Sequence, residues 1–310
     1  MTSFLIIEKL SLAAPLGLCF HDAATGERVN DGLKVAVYPA TETIRKHRNY
    51  ALPNRSGVFV LHRAYGLENF PSGAGDAGFW NNNSPDKSYV VEVFDVEKRF
   101  QSFQFTAELP VRGIYQWESV PAASPNKKLS SIPLYSAPTR KLPGGMSVIR
   151  AELRRADESP ASSAILEARF NGNLIARGIA DREGRVVLMF PTPAPQNNPI
   201  VSLPANALRT SLSEQKWIVD LSVKYQPSIF QFSPPISEET GEETTPDLRL
   251  ALAQANGKLW ADGGQTEEFR TAVLQLGKEL ILRSRATAIT SPMLDSSPAF
   301  SSFLSTSPAV

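Results

Sequence analysis

The chain has 310 residues, 32 Lys and Arg against 31 Asp and Glu, a formal net charge of +1 and 42% hydrophobic residues. That balance excludes intrinsic disorder, which needs low apolar content and high net charge. It also argues against nucleic acid as a partner, because phosphate binding needs a net basic surface or stripe. A single cysteine, Cys19, excludes an intramolecular disulfide, so stability must come from packing, and a reducing compartment is the simplest reading.

At the N-terminus the apolar run Phe4-Leu-Ile-Ile7 is cut by Glu8 and Lys9, and no basic segment precedes it. The expectation is synthesis and assembly in the cytoplasm without a signal peptide, with any release or membrane association occurring by another route. The 24 prolines are spread along the chain and exclude long helices over most of it. Short apolar runs alternate with turn clusters about every ten residues, the spacing of a β-sandwich. The fold class expected is mainly β, with two tandem sandwiches and a small mixed C-terminal extension.

Residues 1–118 read as the first sandwich. Leu18-Cys-Phe20 is strand-like, and polar turns surround Gly26 and Gly32. Leu33-Lys-Val-Ala-Val-Tyr38 alternates in polarity and ends at Pro39, and Ser56-Gly57 opens Val58-Phe-Val-Leu61. The Gly- and Asn-rich stretch from Gly66 to Pro85 is a long loop that carries Phe79 and Trp80. Tyr89 to Phe94 and Phe100 to Phe105 follow as strands.

Residues 119–145, with five prolines, read as a linker skirting the first sandwich, and Ile132 to Tyr135 can dock as an edge strand. Residues 146–235 read as the second sandwich. Its strongest local signal is Asn171-Gly172, a two-residue hairpin turn between Ala164–Phe170 and Leu174–Arg177. Arg185–Phe190 and the cleanly alternating Trp217–Tyr225 are later strands. Residues 236–310 read as an acidic linker plus an extension, in which Thr266–Leu276 places Phe269, Val273 and Leu276 on one face of a short helix.

No catalytic, cofactor or metal-binding constellation emerges, and no cofactor is expected. His21, His47 and His62 have no metal-ligand spacing, and no nucleophile elbow, phosphate loop or dinucleotide fingerprint is present. Cys19 lies in an apolar stretch and reads as a buried, inert thiol. The candidate partner contacts are Arg45, Lys46 and Arg48 in a basic loop, Phe79 and Trp80 in the long loop, and Phe300 and Phe303 in the tail. A glycan- or cell-surface-binding module acting through loop 66–85 is the alternative reading.

Phe20-His-Asp-Ala-Ala-Thr-Gly-Glu-Arg-Val29, followed by a Val-rich strand, resembles the opening of transthyretin-like, carboxypeptidase-regulatory-like sandwich domains. Met146–Pro191 looks like a second such domain. The combination of Ser56–His62, Gly66-Leu67, Tyr89–Asp95, Arg99-Phe100, Leu109–Gly113 and Pro133–Arg140 is similar to an uncharacterised family associated with extracellular contractile injection systems, which are phage-tail-like particles. The similarity covers roughly residues 16–225. It implies a non-enzymatic structural component at or around a baseplate. The partners it implies are baseplate, sheath, tube or spike subunits within a symmetric assembly.

Overall fold

The computed structural model describes residues 14–41, 47–67, 86–117, 131–194, 216–230, 245–261, 268–282 and 304–308. Of these, 51% lie in strands and 5% in helices, so the chain is mainly β.

The first part builds a six-stranded sheet in the order β1 (Leu16–Leu18), β6 (Phe59–Leu61), β5 (Asn49–Pro53), β4 (Leu33–Pro39), β7 (Lys87–Asp95) and β8 (Phe103–Leu109). Its long strands follow the period-2 pattern of the sequence. In β8, Phe103, Phe105, Ala107 and Leu109 point inward while Thr106 and Glu108 face out. A three-stranded sheet, β3 (Arg28–Val29), β2 (Phe20–Asp22) and β9 (Ile132–Leu134), closes over that inner face. The Phe20 ring meets Phe59 edge-on at 5.3 Å. As the sequence allowed, Ile132–Leu134 docks as an edge strand, parallel to β2. The packing continues beyond it, since Tyr135, Ser136 and Ala137 are buried too. Residues 131–137 therefore belong to this core and do not act as a spacer.

The second part stacks β12 (Asn173–Ile179), β11 (Ile165–Phe170), β14 (Lys216–Lys224) and β16 (Thr271–Gln275) against a five-stranded sheet. That second sheet holds β13 (Arg185–Pro191), β10 (Met146–Arg154), β18 (Leu304–Ser307), β15 (Lys258–Trp260) and β17 (Leu280–Leu282). The Asn171-Gly172 hairpin forms as expected: both residues sit at positive φ, 50° and 78°, and Phe170 opposes Asn173. Gly184 is fixed by sterics. Its φ is +79°, and a Cβ there would lie 2.2 Å from the Leu153 carbonyl oxygen. That carbonyl belongs to a residue whose own N–H donates to the Gly184 carbonyl at 2.7 Å. Gly184→Ala is expected to destabilise the protein by about 2–5 kcal/mol, read from urea unfolding midpoints.

The C-terminal region departs from the expected extension in two ways. Thr271–Gln275, expected within a helix, is strand β16 paired with β14, with Ala272 and Leu274 buried. The alternation Ala272, Leu274 against Thr271, Val273 has period two, and burial against β14 decides between the two readings. The helix lies earlier, as α1 (Leu248–Ala253), where Asp247 caps the Leu250 N–H. Leu248 and Ala251 of α1 enter the first core, whereas β15 to β18 complete the sheets of the second part.

The two parts touch directly. Ile165 and Ile179 pack with the first core, and Ala24 packs on Val148, Val187 and Met189. The Arg150 guanidinium donates to the carbonyls of Pro138 and Arg140, and the Gln254 side-chain amide donates to the Ser163 carbonyl at 2.7 Å.

Candidate functional site

The residues singled out by the motifs converge, across more than a hundred positions, on one ionic and aromatic cluster. Asp22 is buried at the end of β2. Its carboxylate accepts from the Ala24 N–H at 2.9 Å and the Thr25 hydroxyl at 3.2 Å, and its carbonyl accepts from the Gly26 N–H at 2.8 Å. This local ring explains why the pattern D-x-x-T-G is needed there: a short acceptor, a hydroxyl and a left-handed glycine close the turn. Arg140 grips the same carboxylate with both arms, at 3.0 and 2.6 Å, and also donates to the Ser136 hydroxyl at 2.9 Å.

The Arg140 guanidinium lies 4.9 Å from the Phe100 ring centroid, and Arg99 lies 5.3 Å from that same ring. Arg99 in turn holds Asp95 at 3.1 Å and donates to the Asp31 carbonyl at 2.9 Å. Asp95 caps the turn by accepting from the Phe100 N–H at 3.1 Å.

Two further buried carboxylates are neutralised in the same manner. Glu167 on β11 is 2% exposed and faces Arg177 at 2.6 Å, Arg169 at 3.2 Å and Lys224 at 3.6 Å. Arg177 also bonds Tyr135, which ties β12 to the segment behind β9. Glu92 on β7 has no exposed surface. It accepts from the Tyr38 hydroxyl and from Arg48, each at 3.0 Å.

The structure thus places Arg48, expected in a solvated basic loop, against a buried carboxylate on the outer face of the first sheet. Of the other candidate contacts, Arg45, Lys46, Phe79, Trp80, Phe300 and Phe303 lie outside the described residues. Sequence reading missed the three buried carboxylates Asp22, Glu92 and Glu167. For Asp22 the signal was the turn motif. For Glu92 and Glu167 it was a lone acid within an otherwise apolar strand, which must be paired if it is buried.

Burial pushes the Asp22 and Glu167 carboxyls up, but the arginine hydrogen bonds and charges outweigh it, and both end below the ordinary carboxylate range. Each therefore contributes stability that is fully present above the unfolded-state pKa and is lost as pH falls through the folded value. Unfolding free energy is expected to be flat near neutrality and to fall steeply below about pH 4. The drop should be smaller in Asp22→Asn, as denaturant titrations at successive pH values will read.

Other reactive side chains are held in ordinary contacts. Cys19 is buried, and burial pushes its thiol up while the Arg28 guanidinium, 2.8 Å from Sγ, offsets part of the rise. His21 Nδ1 lies 2.7 Å from the Ser131 hydroxyl, and His47 stacks on Tyr65 at 3.7 Å. Among the described residues no group of His, Cys, Asp and Glu has the arrangement to hold a metal ion. An open cleft of about 310 Å³ sits where β14 parts from β16, between Leu221, Val223, Leu259 and Phe269. The charges beside it, Glu268 and Arg270, pair with each other at 2.7 Å. No helix among the described residues is long and apolar enough to cross a membrane.

No protein-family model matches the chain, and no curated protein matches it.

Proposed function

We propose that this chain is a non-enzymatic structural component of a contractile, phage-tail-like injection particle, at or beside the baseplate, and that it works through contacts with other particle subunits. The two hydrophobic clusters are read as tandem transthyretin-like sandwiches, braced against one another by Arg150, Arg177 and Gln254. One observation supports the reading above others. The side chains that carry the resemblance, Asp22, Asp95, Arg99, Phe100 and Arg140, hold one another and the adjacent turns, and do not line the cleft. A shared sequence pattern used in this way preserves a shape, and a shape is what neighbouring subunits recognise.

The test is fractionation of cells that produce such particles with the chain tagged at one end. The chain is expected to sediment with sheath and tube proteins through a density gradient and to stay bound after a salt wash. Recovery only in the light fractions, or on a glycan matrix while the particles lack it, rejects the proposal.

A further inference from the structure

The second part leaves one of its sheets open in an unusual way. Strand β16 ends the order β12-β11-β14-β16, and among the described residues no strand pairs with its far side along Thr271–Gln275. Other sheet edges are protected. The edge of β1 is covered through Val111 and Tyr115, that of β8 through Pro246 and Asp247, and β12 carries Arg177. By contrast Thr271-Ala-Val-Leu-Gln275 holds no charge and no proline, the two devices that usually keep an edge from pairing.

The outward face of this edge is apolar as well. Val273 is 53% exposed and stands directly across from Ile218, which is 67% exposed. The direction of the backbone groups follows from two hydrogen bonds. The Arg270 carbonyl accepts from Leu221 of β14, whereas the Phe269 N–H donates the opposite way, to Leu259. Alternation then points the N–H and C=O of Thr271, Val273 and Gln275 away from β14, toward the open side.

We propose that β16 pairs antiparallel with β16 of a second copy of this chain, with Val273 on the two-fold axis. That register sets Val273 against itself, with both backbone bonds exchanged, and sets Thr271 against Gln275, so every paired residue presents its edge-facing groups. It joins the two Ile218–Val273 pairs into one apolar stripe. It also brings Glu268 of each copy to the end where Lys278 of the other leaves the strand at Gly277, so the flanking charges are complementary twice over. A shift of two residues keeps the backbone bonds and loses that charge match. β15, which joins at Phe269, bounds the edge on one side and limits the added pairing to a short strand. The interface is accordingly small and the dimer a weak one, with dissociation on the micromolar scale. The inference is independent of the particle reading, and a chain outside any particle pairs in the same way.

Sedimentation velocity of the purified full chain over a concentration series tests it. Wild type is expected to shift from monomer to dimer across the micromolar range. Val273→Lys places like charges on the axis and is expected to weaken the dimer at least tenfold while the thermal unfolding of the monomer is unchanged. Glu268→Lys is expected to weaken it too, and the exchange Glu268→Lys with Lys278→Glu to restore it. A wild type that stays monomeric up to about 100 μM overturns the proposal, even if some other protein binds the edge. So does a dimer indifferent to Val273→Lys, or one the charge exchange fails to restore.

Discussion

Arg140→Ala is expected to lower the unfolding free energy by about 3–5 kcal/mol, because it leaves the Asp22 carboxylate buried without its counter-charge. The side chains concerned are 11% and 6% exposed, so water cannot replace the lost partner, and the cation over Phe100 disappears with it. Arg140→Lys keeps the charge and loses the two-armed grip, so it should recover only part of the loss. In a double-mutant cycle with Asp22→Asn, the two changes should cost much less together than the sum of their separate costs, since each removes the same pair. Chemical denaturation of the four proteins reads the result. Additive losses contradict the pairing as the source of stability.

Deleting residues 245–310 is expected to have a still larger effect. Leu248 leaves the first core, and Leu259, Leu274 and Leu282 leave the second. At roughly 2–3 kcal/mol for each buried leucine side chain, the four alone amount to about 8–12 kcal/mol. That is comparable to the entire stability of an ordinary domain, about 5–15 kcal/mol. The shortened chain should therefore lose its cooperative thermal transition and the near-ultraviolet dichroism of its packed aromatics. Retention of the full-length melting temperature would show that the C-terminal segment is an accessory, as its acidic lead-in and serine-rich end suggest when read as sequence alone.

That contrast marks where the sequence was informative. Local rules were sufficient for β4, β7, β8 and β14, whose alternation matches a half-buried strand, and for the Asn171-Gly172 turn, whose residue types tolerate positive φ. They failed where long-range pairing decides. Thr271–Gln275 satisfies a helical face as readily as a strand, and only the vacancy beside β14 makes it a strand. Pro133 and its neighbours have linker composition, yet the stretch is locked in place because Ile132 and Leu134 fill the space between β2 and the six-stranded sheet. The charged clusters were the least legible. Asp22 and Arg140 are 118 residues apart and Glu92 and Arg48 are 44 apart, and nothing in local spacing pairs them. The basic run around Arg48 looked like a solvated patch because sequence does not reveal which carboxylate a strand will bury beneath it.

The central claim is that the chain contributes shape and contact surface to a larger assembly and performs no chemistry of its own. Electron cryomicroscopy of purified particles from a producing strain, with and without the gene for this chain, tests it most directly. The account predicts density for the chain at fixed, symmetry-related positions near the baseplate, at full occupancy, and the loss of that density together with defective assembly or contraction in the deletion. Intact, fully contractile particles that never contained the chain would contradict it.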